Sequence, residues 1–218
     1  MQCWFDDGRF INMERSTLPC DSRMQSLEQL DSEELFRLAL LDVQAARHDL
    51  AIVKLKQVIS LEPRDARAHF MLAAEHAELG LFDRAEEGML RALAIEPALH
   101  TARFQLGLLQ YTRNDFEKAR ATWKDLEALG AGDPLNLFKT ALLSIQTGDL
   151  KQAVEELEDA HRLSGSNPAL GNDIAKVLAN VRAKLTDMPV TTPYASEKSS
   201  AAAGAGLLHR YGDSLDSQ

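Results

Sequence analysis

The chain is poor in the residues that stabilise disulfide-linked or metal-dependent domains. It has two cysteines in 218 residues, Cys3 and Cys20, and both precede the patterned part of the sequence. Neither can cross-link a core there, and two cysteines without suitably spaced histidines do not form a zinc site. We therefore interpret both as unpaired thiols, and we predict no metal site and no cofactor.

Long apolar runs are also missing. No segment approaches the roughly 20 consecutive apolar residues that a membrane-spanning helix requires. The first 30 residues contain no apolar run of the kind found in signal peptides. These two absences predict a cytoplasmic protein without membrane insertion.

Basic residues are outnumbered, with 24 lysines and arginines against 33 aspartates and glutamates and a formal net charge of -9. Non-specific binding to nucleic acids or anionic membranes needs a clustered basic surface. We therefore expect no nucleic-acid partner.

What the sequence does contain is a period of 34 residues. Phenylalanine and alanine recur at this spacing, and small residues recur in the same register. The positions are Phe36, Phe70, Phe104 and Phe138; Ala51, Ala85, Ala119 and Ala153; and Ala39, Ala73, Gly107 and Ala141. Four of the eight phenylalanines share one position of the repeat, which chance does not explain.

Each repeat unit has the pattern of two helices joined by a turn. In the second unit, apolar residues at helical spacing extend from Ala66 to Leu79, and Gly80 follows as a turn residue. A second helical pattern runs from Phe82 to Ile95 and is ended by Pro97. The sequence therefore predicts an all-α solenoid of stacked helix pairs.

The turn between the two helices carries its own signal. Asn114 and Gly148 lie one and two periods after Gly80. Glycine and asparagine are the residues that most easily adopt the left-handed conformation at the end of a helix. We therefore expect a left-handed residue at each of these turns.

This pattern resembles the tetratricopeptide repeat (TPR) family, whose unit of 34 residues carries W-x2-L-G-x2-Y, A-x3-F and P. The best matches are Leu72, Ala73, Gly80, Phe82, Ala85, Met89, Ala92 and Pro97, and then Leu106, Gly107, Asn114, Phe116, Ala119 and Trp123. The family's first-helix tryptophan is replaced by Leu35, His69, Arg103 and Leu137. The resemblance implies a right-handed superhelical solenoid that binds other proteins.

The resemblance divides the chain into three parts. A TPR domain is predicted over 24–186, with repeats at 32–65, 66–99, 100–133 and 134–167 and a capping helix at 168–185. The capping helix has Ile174, Val177, Leu178, Val181 and Leu185 on one face, and Asp173 is expected elsewhere. Segments 1–23 and 187–218 are predicted to be disordered.

In TPR proteins the first helices line the concave face, where ligands are usually held. Positions five, nine and twelve of each unit point inward there, and in this chain they are all apolar or aromatic. The predicted partner-binding groove consists of Phe36, Leu40, Phe70, Ala74, Phe104, Leu108, Tyr111, Phe138, Leu142 and Ile145. Such a groove should prefer an apolar or amphipathic helix of a partner protein.

The final segment carries an apolar patch of Leu207, Leu208 and Tyr211. A flexible linker of the length that separates this patch from Leu185 spans about 25 Å. The patch could therefore fill the groove as a pseudo-ligand, or it could touch nothing.

Three functions remain open. The first is an adaptor or chaperone-like scaffold, and the second is a self-assembling structural subunit, such as a homodimer or an accessory protein of a bacterial secretion system. The third, an enzyme, has little support in the sequence. His69 and His76 lie about 10 Å apart along one helix, too far to share a metal unaided. No HExxH motif is present, and we predict no catalytic residue.

The register of the repeat can be tested by overpacking. Ala85→Leu and Ala119→Leu should each destabilise the protein by about 1–3 kcal/mol, because each would force extra carbons into a helix crossing. Chemical denaturation measures this effect. Unchanged midpoints in both variants would show that the register is wrong.

Overall fold

The computed structural model describes residues 30–187. The predicted disordered segments, the two cysteines and the patch of Leu207, Leu208 and Tyr211 lie outside the described residues, apart from Asp187 at the end of the last helix.

The described residues form nine α-helices and two short 3-10 helices, without a strand. The α-helices are α1 Ser32–Gln44, α2 His48–Leu61, α3 Ala66–Glu78, α4 Phe82–Ile95, α5 His100–Thr112, α6 Phe116–Trp123, α7 Pro134–Thr147, α8 Leu150–Leu163 and α9 Pro168–Asp187. The 3-10 helices are Lys124–Leu129 and Ser164–Ser166. The predicted all-α class is confirmed. Four helix pairs fall within the four predicted units, while the limits of the domain stay a prediction.

Aspartate side chains cap the N-termini of several helices. At α1, the Asp31 carboxylate accepts a hydrogen bond from the Glu34 amide at 2.8 Å, and the Glu34 carboxylate accepts one from the Asp31 amide at 3.0 Å. This reciprocal arrangement is a capping box, which satisfies amides that have no partner within the helix. Asp65, Asp133 and Asp149 cap α3, α7 and α8 in the same way, without the second bond.

The turn within each pair contains one left-handed residue. Gly80, Asn114 and Gly148 have φ angles of 73°, 63° and 84°, so the prediction for these three turns is confirmed. The equivalent residue of the first pair is Ala46, with a φ of 53°. Its Cβ makes this conformation cost about 1 kcal/mol. The first turn therefore carries a strain that the glycine turns at Gly80 and Gly148 avoid.

Helix α5 lies between two hydrophobic cores. Leu106 and Leu109 pack into a first core built mainly by α1–α4. Phe104 and Leu108 pack into a second core that extends to α9. Eight of the thirteen residues of α5 are buried. The two halves of the solenoid are therefore joined through the two faces of one helix.

The close approach of α5 to α6 depends on Gly107. A Cβ atom on Gly107 would lie 2.5 Å from two ring carbons of Trp123, well inside van der Waals contact. The Trp123 indole is fully buried, and its Nε1–H donates a hydrogen bond to the Phe104 carbonyl at 2.9 Å. Because the indole occupies the place of a side chain at residue 107, the pair fixes the separation of α5 and α6.

After Trp123 the chain tightens into a 3-10 helix, where a continuous second helix was expected. Residues three apart eclipse one another in a 3-10 helix. Trp123 and Leu126 therefore point the same way, and both are fully buried. The tighter winding places a second large side chain in the core.

The capping helix α9 packs against α8, as expected. Ile174, Leu178 and Val181 are buried. The expectation for Asp173 was wrong, because its side chain is fully buried instead of lying on the polar face. A buried carboxylate needs compensation, and the Lys176 ammonium, one helical turn later, contributes it at 3.3 Å.

Replacing Gly107 with alanine should destabilise the protein strongly. The new methyl group must displace the Trp123 ring, and overpacking of this kind costs about 1–3 kcal/mol or more. Urea denaturation of Gly107→Ala measures the loss.

Gly165→Ala is the matched control for Gly107→Ala. A Cβ on Gly165 would meet nothing within 4 Å, so this variant should stay within about 0.5 kcal/mol of the wild type. Equal midpoints for the two variants would contradict the role given to Gly107.

Candidate functional site

Most of the predicted groove is buried in the structure. Seven of its ten residues are at most 5% exposed: Phe36, Phe70, Phe104, Phe138, Ala74, Leu108 and Leu142. The four phenylalanines are fully enclosed. These seven side chains therefore present almost no surface in the structure, and their contact with a partner stays a prediction.

The reason is that neighbouring first helices of the solenoid cover each other's phenylalanines. The Phe104 ring lies 5.2 Å from the Phe138 ring and 5.9 Å from the Trp123 ring, measured between centroids. The Arg67 guanidinium lies 4.7 Å above the centre of the Phe36 ring and bonds Glu33 at 2.9 Å. The phenylalanines are thus packing residues between successive units.

Three predicted groove residues keep a partly exposed surface, namely Leu40 on α1, Tyr111 on α5 and Ile145 on α7. The Tyr111 hydroxyl donates to the Leu142 carbonyl at 2.9 Å, which places this ring beside α7. Burial raises the pKa of Tyr111 to about 12. The predicted groove therefore keeps exposed apolar surface at two places: at Leu40 near the start of the solenoid, and at Tyr111 and Ile145 further along.

A different feature, absent from the sequence analysis, is a cleft of about 690 Å³ between α2, α3 and α4. His69, Leu72, Ala73, His76 and Gly88 lie less exposed in it, and the remaining lining residues are exposed. These exposed residues are Lys56, Arg84, Glu87, Leu90 and Arg91. We call this feature the α2–α4 cleft.

The sequence did hold a signal for this cleft. His69 and His76 stand where the TPR pattern places tryptophan and tyrosine. Each imidazole is smaller than the ring it replaces, which leaves space against α2 and α4. Gly88 brings the two helices of this pair together, since a Cβ there would lie 2.8 Å from the Ala73 Cβ.

Positive charge dominates the α2–α4 cleft. Lys56, Arg84 and Arg91 form no salt bridge with any side chain of the described chain, and we call them the rim cations. Burial lowers the pKa of His76, and the charges of Arg84 and Lys56 lower it further. The cleft is therefore electropositive, although the whole chain carries a net charge of -9.

Several charged side chains of the described residues are paired between neighbouring helices. Burial alone would raise the pKa of Asp42, but hydrogen bonds and charge from Lys54 and Arg47 outweigh it and hold this pKa below its usual range. The imidazole of His48 meets the buried Glu75 carboxylate at 2.8 Å. These pairs connect α1 to α2 and α2 to α3.

Neither a metal-binding cluster nor a membrane-spanning helix is found among residues 30–187. No group of three or more histidine, cysteine, aspartate or glutamate side chains there is arranged to hold a metal ion. None of the described helices is long and apolar enough to cross a lipid bilayer.

Comparison with known proteins shows the fold. No protein-family model and no curated protein matches the chain. Among solved structures, MamA from Desulfovibrio magneticus RS-1, residue 41 to the end, is 16% identical with a TM-score of 0.53, over 85% of this chain and 97% of that one. A double mutant of MamA RS-1 is 18% identical with a TM-score of 0.53, over 87% and 99%. At these identities the likeness establishes a helical repeat solenoid.

The part-buried phenol of Tyr111 should titrate apart from an exposed tyrosine. Its raised pKa means that the folded state holds this proton more tightly than the unfolded state. Stability from this group should be complete below pH 10 and fall as the pH rises toward 12. Ultraviolet titration of the wild type should show a phenol ionising near pH 12.

Tyr111→Phe should abolish that late step and cost about 0.5–1.5 kcal/mol near neutral pH, because one hydrogen bond is lost. Tyr211→Phe serves as the control and should retain the late step. A late step that survives in Tyr111→Phe would contradict the assignment.

Proposed function

We propose that this chain is a TPR-type scaffold that binds other proteins and does not catalyse a reaction. The observation that carries the proposal is the series of helix pairs, which sets equivalent faces side by side and leaves apolar side chains partly exposed. The structural likeness to MamA supports the repeat architecture and does not identify the partner.

The inner face formed by the first helices of each pair is the proposed contact surface for an apolar or amphipathic helix. Leu40, Tyr111 and Ile145 would touch the partner, and the buried members of the predicted groove would support them from below. Covering three half-exposed side chains contributes about 2–4 kcal/mol. That alone corresponds to a millimolar Kd at best, so a useful affinity requires further contacts.

The absence of catalysis, of a cofactor and of a metal is part of the proposal, together with a cytoplasmic location. The lowered pKa values of acidic groups in the described chain have an ordinary structural explanation. A hydrogen bond from Arg67 leads the effects that lower the pKa of Glu33, and Lys54 and Arg47 act on Asp42. Such pairs are typical of ion-pair networks that hold helices together.

Self-assembly, as a homodimer or as a subunit of a larger complex, is the second candidate. It is favoured by large apolar side chains that are at least 39% exposed within residues 30–187: Leu41, Leu50, Val53, Leu61, Leu79, Leu81, Leu90 and Leu163. Sedimentation equilibrium tests this candidate, because self-assembly raises the apparent mass of the isolated protein as its concentration increases.

The inner-face proposal predicts a selective loss of partner binding. Leu40→Glu and Ile145→Glu should each lower the recovery of co-purified protein about tenfold, since each places a charge at an apolar contact. Quantitative mass spectrometry of affinity-purified material is the measurement.

Leu163→Glu is the control, because this residue is 40% exposed on a second helix, away from the inner face. It should retain the partners that the other two variants lose. Equal recovery by all three variants would reject the inner face as the contact surface.

A further inference from the structure

The α2–α4 cleft is a second surface, separate from the inner face. On α3, His69, Ala73 and His76 line the cleft, whereas Phe70 and Ala74 belong to the predicted groove of the inner face. Adjacent residues of an α-helix point about a third of a turn apart. A ligand in the cleft would therefore touch α3 on a different side from a ligand on the inner face.

Three cations without a salt bridge lie together around this cleft. Many other cations of the described helices pair with carboxylates, for example Arg103 with Asp125 at 2.8 Å and Arg182 with Glu158 at 2.6 Å. In the cleft, three rim cations face a single lining carboxylate, Glu87, and they form no salt bridge with it. Bringing three like charges to one cleft is unfavourable unless something neutralises them.

The cleft is not purely ionic. Leu72 lines it, and Leu90 is 52% exposed beside the rim cations. A volume of about 690 Å³ is far larger than an inorganic anion needs. The lining thus combines cations that can pair with carboxylates and an apolar surface that can pack against a hydrocarbon side chain.

We propose that the α2–α4 cleft binds a short acidic peptide segment of a partner protein. Its carboxylates would lie on the rim cations, and one apolar side chain would lie between Leu72 and Leu90. The chain as a whole carries a net charge of -9, which disfavours an acidic peptide away from local positive charge. Charge complementarity therefore selects this cleft as the place of contact.

The proposal does not rest on the inner face, and it is tested separately on the full chain. The probe is the peptide acetyl-Glu-Asp-Leu-Glu-Asp-amide, titrated by calorimetry at low ionic strength. We expect saturable binding with a Kd of about 0.1 mM, because exposed ion pairs are individually weak. Raising the salt to 0.3 M should weaken binding several-fold through screening.

The decisive variant is Arg84→Gln/Arg91→Gln. It should bind the peptide about fivefold to tenfold more weakly, since two of three ionic contacts are removed. The matched control is Lys124→Gln/Lys151→Gln, which makes the same change of net charge at two exposed lysines outside the cleft. Circular dichroism should show that both variants keep the wild-type fold, because all four side chains are exposed.

Two further peptides test the chemistry. Replacing the acids by Gln and Asn should abolish binding, and replacing the leucine by glycine should weaken it several-fold. Inorganic phosphate should compete only at concentrations far above the Kd of the peptide. If phosphate competes as well as the peptide does, or if the leucine has no effect, the cleft is a simple anion site and the peptide proposal is wrong.

The pKa of His76 provides a second measurement, because a purely structural role of the arginines would not make it depend on bound peptide. His76 faces Lys56 from α2, His69 from its own helix, and Arg84, Glu87 and Arg91 from α4. A bound acidic peptide should raise the pKa of the His76 ring, which is lowered in the free protein. An NMR titration of the ring protons that is unchanged at saturating peptide would overturn the proposal, as would equal loss of binding in the two double variants.

Discussion

The contact between Gly107 and the Trp123 indole is the constraint on which the rest of the solenoid depends. It sets how close α6 lies to α5, and α5 supplies side chains to both hydrophobic cores. The Phe104 carbonyl accepts the hydrogen bond from the indole, and the Phe104 ring packs against Phe138 on α7. One close approach therefore controls the packing of the third pair and the junction with the fourth. A solenoid has few long-range contacts, so a local defect at this junction is not compensated elsewhere.

The architecture could be predicted from the sequence because its determinants are local and repeated. The period of 34 residues, the apolar spacing within each helix and the left-handed turn residues each act within a few turns of the chain. The small residues Ala85 and Ala119 are fully buried, as the register requires. Ala46 was not identified, because alanine carries no left-handed preference and only its place in the repeat imposes that conformation.

The candidate site could be predicted only in part, because periodicity shows which residues are equivalent but not which of them reach solvent. Exposure of the phenylalanines depends on the distance between successive first helices, and that distance is set by side chains from other units, such as Arg67 over Phe36. The α2–α4 cleft was missed for a related reason. It is the space that larger side chains at positions 69 and 76 would occupy. That space can be recognised only when the positions of α2 and α4 are known.

Helix α3 separates the inner face from the cleft. The burial of α3 therefore determines whether binding at one surface affects binding at the other. Eight of its thirteen residues are buried, including Phe70 and Met71 in the first core. Gly88 brings α4 against Ala73, so α3 cannot shift toward the cleft without a clash. A well-packed helix of this kind has one arrangement, and coupling between two sites requires an element with two. Ligands on the two surfaces should therefore bind almost independently, and a partner that carries both an amphipathic helix and an acidic segment would gain affinity through its linker instead of through a conformational change.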